Sequence, residues 1–155
     1  MSTVIENTNE VLKDLIRINN DRIEGYTKAE KESEKENTDL IKIFQKMVSQ
    51  SMGYVNELRS LVMKYGGTVA TGSTTMGKIY RTWMDIQIAF SANDRKNILN
   101  ACEFGEDAAQ KAYKLALEQT DLTEEARSLI ASQKSELKNA HDIIKAYRDR
   151  QKVAV

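Results

Sequence analysis

Apolar residues recur at intervals of three and four along most of the chain, the period of an amphipathic helix. Leu12, Leu15, Ile16, Ile23 and Tyr26 form the first stripe and predict a helix over residues 9–35, with Asn7 as its cap and Glu10 reaching back. Its charged end, residues 28–36, reads as a solvated terminus. A second stripe runs through Ile41, Phe44, Met47, Val48, Ser51, Val55, Leu58, Val62 and Tyr65. Asn37-Thr38 is a short turn before it, and Gly66-Gly67 is a left-handed stop after it. So short a turn makes the first two helices an antiparallel hairpin.

A stretch rich in Gly, Ser and Thr follows over residues 68–75, then a shorter helix over 75–90 with Ile79, Trp83, Ile86 and Phe90 on one side. Sixteen helical residues extend about 24 Å, enough to return the chain along a bundle. A third helix is expected from Asn93 or Asp94 to residue 119, with Cys102, Ala109, Tyr113 and Ala116 on one face. Asp121-Leu122-Thr123-Glu124 has capping-box spacing and opens a fourth helix, to about residue 150, through Ala126, Ile130, Gln133, Leu137, Ala140, Ile144 and Tyr147. The last residues, 151–155, are expected to fray. The expected fold is all-α: one domain over residues 1–155, a ferritin-like four-helix bundle of two antiparallel hairpins joined by a long crossover containing a shorter helix.

Composition agrees with long helices. Proline is absent, where an average chain of this length holds roughly eight. The 23 basic and 23 acidic residues balance without a basic stripe, which argues against nucleic acid as the main partner. Neither a leader-like N-terminus nor an apolar run long enough for a bilayer is visible, so a cytoplasmic protein without a membrane partner is expected. The single Cys102 fits a reducing compartment and excludes a cysteine-based zinc site.

Glu106 is the position where chemistry enters. It falls in the middle of the third apolar stripe, and a buried carboxylate costs several kcal/mol unless it is paired, hydrogen-bonded or metal-bound. Ferritin-like di-metal centres use two glutamates and two Glu-x-x-His pairs. That set is incomplete here: Ser60 follows Glu57 at the third position, and His141 lies five residues beyond Glu136. Folding the hairpins brings Glu106 level with Glu136 and Leu137, with Gln133 one turn away. Asn19, Ser51, Glu106 and Gln133 then make a polar layer. Two readings stay open: a hydrogen-bonded layer that fixes bundle register, or a metal site. If the layer only fixes register, Glu106→Leu should be neutral or stabilising.

Several other features read as structural. His141 is expected to be a structural or surface histidine, Cys102 a small core residue, and Glu103 solvent-facing or at a subunit contact. Gly25, Gly53 and Gly105 interrupt helices near their middles, marking either close approach beside a site or a crowded contact with Tyr26, Tyr54 or Phe104. Gly72 to Lys78 matches the G-x-x-x-x-G-K of a phosphate loop, but Ile79 stands where Ser or Thr should hold magnesium and no βαβ unit surrounds it. Trp83 reads as the anchor of the crossover helix.

Asn19-Asn20-Asp21-Arg22-Ile23-Glu24-Gly25-Tyr26, Glu57-Leu58, Gly66-Gly67, Gly72-Ser73, Arg81-Thr82-Trp83 and Cys102 through Asp107 together resemble one family over residues 4–150. It is an uncharacterised bacterial family of ferritin-like four-helix-bundle proteins, a domain of unknown function. The resemblance implies a cytoplasmic bundle linked to stress physiology or metal handling; iron or manganese is the metal expected if one binds. It maps metal-binding positions onto Asp21, Glu24, Glu57, Glu106 and His141. Tyr80 departs from it, standing where many relatives carry His before Arg-x-Trp. The missing Glu-x-x-His pairs set the chain apart from oxidase and peroxidase members of the wider superfamily. The leading expectation is a homo-oligomeric bundle without robust catalysis that binds metal through Glu106 and nearby carboxylates. A non-metal interaction module with a polar core layer is the alternative, and a di-metal oxidoreductase acting on oxygen or peroxide the third.

Overall fold

The computed structural model describes residues 2–33, 35, 37–68 and 95–153. Among these are four helices and no strand: α1 (Ser2–Glu32), α2 (Thr38–Lys64), α3 (Arg95–Leu117) and α4 (Glu124–Val153). The expected short helix over 75–90, the Gly72–Lys78 loop, Tyr80 and Trp83 lie outside the described residues. No described helix is long and apolar enough to cross a membrane.

Local chemistry fixes the helix ends, not always at the expected residue. α1 begins earlier than the apolar stripe suggests, because Asn7 does not cap it. The Asn7 carboxamide instead donates to Asp121 O at 2.8 Å, and the Thr123 N–H donates to Thr8 Oγ1 at 3.2 Å, tying α1 to the α3–α4 turn. Asn37 precedes α2 without a side-chain capping bond. Its Oδ1 accepts from Arg95 Nη1 at 3.1 Å. Gly66 closes α2 at φ +75°, with Gly66 N–H donating to Met63 O at 3.0 Å and Gly67 N–H to Val62 O at 2.9 Å. That pair of bonds is the Schellman stop, in which glycine takes the left-handed position without a Cβ penalty. The cap of α4 is Thr123 rather than Asp121: its Oγ1 accepts the Ala126 N–H at 3.2 Å. Arg127 then donates to Leu117 O at 2.9 Å and Gln119 O at 2.8 Å, satisfying carbonyls that the end of α3 leaves open.

α1 packs on α2 and α3, and α4 packs on α3 and α2. Contacts 7–121, 19–113 and 22–106 make α1 antiparallel to α3, while 65–123, 57–133 and 54–136 make α2 antiparallel to α4. α2 and α3 therefore run parallel, and the 2.8 Å bond between Arg95 Nη2 and Asp39 Oδ2 puts their starts at one end.

The core lies in two apolar clusters. One holds Leu12, Leu15, Leu58, Ala109, Tyr113 and Ile130 with their neighbours; the other holds Tyr26, Phe44, Met47, Ile98, Cys102 and Ile144 with theirs. Between them sit the buried polar residues Asn19, Arg22, Ser51, Glu106 and Gln133. The polar layer thus divides the hydrophobic core.

Candidate functional site

Arg22 organises this layer. It continues the spacing Leu12, Leu15, Asn19, Arg22, Tyr26, Ala29 along the inward face of α1, and it is 0% exposed. Nε donates to Glu106 Oε1 at 2.8 Å and Nη2 to Glu106 Oε2 at 3.0 Å, a two-pronged ion pair across the bundle. Nη1 donates to Ser51 Oγ at 2.7 Å and Met47 O at 3.3 Å, Nη2 reaches Met47 Sδ at 3.3 Å, and the Tyr26 ring centroid lies 5.2 Å from Cζ. Burial alone disfavours the guanidinium charge, but the Glu106 carboxylate, with help from Tyr26, outweighs it and holds Arg22 protonated.

From Arg22 the hydrogen bonds run in one direction to the surface. Ser51 Oγ donates to Asn19 Oδ1 at 2.9 Å, and Asn19 Nδ2 donates to Tyr113 Oη at 2.8 Å. Tyr113 Oη donates to Gln133 Oε1 at 2.6 Å, and Gln133 Nε2 donates to Glu57 Oε1 at 3.1 Å. Each group spends its donor on the next, so side chains from all four helices share one network. Burial pushes the phenols of Tyr113 and Tyr26 up. It does the same to the Cys102 thiol, which leaves that cysteine a core residue and not a nucleophile.

The expected ligands do not converge. Glu106 is bound by Arg22. Asp21 is 5% exposed, and its Oδ2 accepts no hydrogen bond from the described residues. Burial, reinforced by the exposed Glu24 and opposed by Arg17, raises its carboxyl to about 7. Glu57 is exposed on α2 and meets Glu106 only through the chain of hydrogen bonds. Glu136 accepts from Tyr54 Oη at 2.8 Å and stays outside the layer. His141 is joined instead to α3: its Nε2 lies 2.6 Å from Asp107 Oδ1 and its Nδ1 3.2 Å from Asp142 Oδ1. Among the described residues, Glu103, Asp107 and His141 offer donor atoms within 4.8 Å of one another. Glu103 is buried rather than solvent-facing, and its Oε2 pairs with Arg148 Nη1.

Arg22 and Asp107 are the residues that sequence reasoning missed. The three-four spacing of α1 carried a signal for Arg22, since it places that arginine on the inward face beside Asn19. For Asp107 the one signal was its position four residues after Glu103, on the same helix edge. The glycines divide: Gly25 and Gly105 are buried, whereas Gly53 is exposed and a Cβ there would meet nothing within 4 Å among the described residues.

Fold and layer define a four-helix bundle cross-braced at mid-height by a buried arginine–glutamate pair. Residues 7–119 match the family described as Domain of unknown function (DUF2383), and the chain belongs to that family. The match takes in Asn19, Arg22, Ser51, Glu106 and Tyr113 and stops before α4. No curated protein and no solved structure matches the chain.

Proposed function

We propose that this protein is a ferritin-like bundle that acts through its surface, as an interaction module, with a central polar layer that sets helix register. One observation carries the reading: both oxygens of Glu106, at 2.8 and 3.0 Å, are engaged by Arg22. A guanidinium at that place supplies the positive charge that a core metal would otherwise provide, and it cannot be displaced without stranding a buried cation. The parallel course of α2 and α3 supports the ferritin-like assignment. Homo-oligomerisation through outward apolar side chains belongs to the same reading, supported by Phe104 at 65% exposed. A cytoplasmic setting fits the lone buried thiol of Cys102.

The test is anaerobic addition of ferrous iron to tag-free protein, followed by air. The expected result is no near-ultraviolet absorption band that depends on Glu106. Uptake of two ferrous ions per chain, with an oxidation band that vanishes in Glu106→Gln, would overturn the reading in favour of a di-metal oxidoreductase.

A further inference from the structure

We propose that Glu103, Asp107 and His141 form a divalent-cation site for a first-row transition metal on the seam between α3 and α4, separate from the buried layer. Two helices bring the three side chains together. Glu103 and Asp107, four residues apart on α3, project from one edge a single turn apart, and the antiparallel α4 brings His141 against them. Donor atoms within 4.8 Å of one another need only small side-chain rotations to reach one ion at about 2.0–2.2 Å.

The surroundings give such an ion both ligands and an outer carboxylate. His141 has a carboxylate on each ring nitrogen, Asp107 on Nε2 and Asp142 on Nδ1. A neutral imidazole carries one ring proton and can donate it to only one of these two carboxylates, at 2.6 Å to Asp107 or 3.2 Å to Asp142. A metal ion on Nε2 takes the place of the second ring proton, and Asp142 then accepts Nδ1–H as an outer carboxylate does behind a metal-bound imidazole. Exposure is graded across the set: the side chains of Glu103 and His141 are 12% and 18% exposed, and that of Asp107 is 58%. The core side is thus closed, and the Asp107 side is open for entry and for water ligands. Arg148 pairs with Glu103 Oε2, which leaves Oε1 for the ion. One imidazole with two carboxylates suits zinc, iron(II) or manganese(II); the buried Cys102 thiol belongs to the core cluster and offers no soft ligand.

The experiment uses tag-free full-length protein and zinc(II) as the probe, followed by calorimetry and by the imidazole NMR signals. The chain has one histidine, so those signals belong to His141 alone. The expected result is one zinc per chain, with the proton kept on Nδ1 and Nε2 perturbed. Binding is lost in His141→Ala and in Asp107→Asn, weakened about 10–100-fold in Asp142→Asn, and unchanged in Glu118→Gln. Absence of zinc binding overturns the site, as does binding that survives either ligand substitution. These positions are partly exposed, and circular dichroism on each variant separates ligand loss from unfolding.

Discussion

Replacing Glu106 by leucine strands Arg22. The guanidinium is 0% exposed, and of its five hydrogen bonds to the described residues, two, at 2.8 and 3.0 Å, are to the lost carboxylate. Ser51 Oγ, Met47 O and Met47 Sδ remain, none of them charged. Charge-assisted hydrogen bonds contribute about 1.5–3 kcal/mol each, and breaking one side of a buried pair costs about 3–5 kcal/mol. Glu106→Leu should therefore lose about 3–5 kcal/mol, or roughly 10–15 °C in Tm for a chain of this size. Arg22→Met should lose a similar amount at pH 8. Its penalty should shrink in acid, because a stranded carboxylate can take up a proton and a stranded guanidinium cannot release one. The double variant Arg22→Met/Glu106→Leu fills the space with apolar atoms and leaves Ser51 bonded to Asn19 at 2.9 Å. It should lie within about 1 kcal/mol of the native chain or above it. Urea unfolding followed at 222 nm on all four proteins gives the coupling energy directly. A neutral Glu106→Leu, or a double variant as costly as the sum of the singles, would refute the reasoning. The conditional expectation that this swap is neutral if the layer only fixes register leaves out the buried Arg22; with that partner counted, a loss is the expected outcome.

Asp21, raised from 3.8 to about 7, keeps a proton in the folded chain that the unfolded chain releases between those values. Its stabilising share is complete below about pH 4 and is lost as pH rises through 7. Asp21→Asn should gain on the native chain across that window and level off above it, by at most about 4 kcal/mol at about 1.4 kcal/mol per pH unit. A pH-independent difference in urea midpoint would contradict this. Gly53→Ala should stabilise by about 0.5–1 kcal/mol, because the position is exposed, mid-helix and open to a Cβ. Gly66→Ala, at φ +75°, should destabilise by about 1 kcal/mol. Thermal melts of the two variants side by side check both, and a destabilising Gly53→Ala would mean that this face is covered in the working protein.

Four helices, the Gly66-Gly67 stop and the inward positions of Asn19, Ser51, Glu106 and Gln133 were all legible in the sequence. Helical periodicity is a local signal: residues three and four apart share a face whatever that face meets. Capping was less legible. Asn7, Asn37 and Asp121 all have capping chemistry, but Asn7 and Asn37 hydrogen-bond across the bundle, and Thr123 caps α4. Partners across helices were not legible at all. Arg22 meets Glu106 across 84 positions of sequence and His141 meets Asp107 across 34. Whether such groups touch depends on the rotation and axial offset of two helices, which many packed side chains set together. The sequence by itself therefore determined that a carboxylate would sit in the core. Only the tertiary structure decided that its counter-charge is an arginine, and that the histidine lies outside on a different seam.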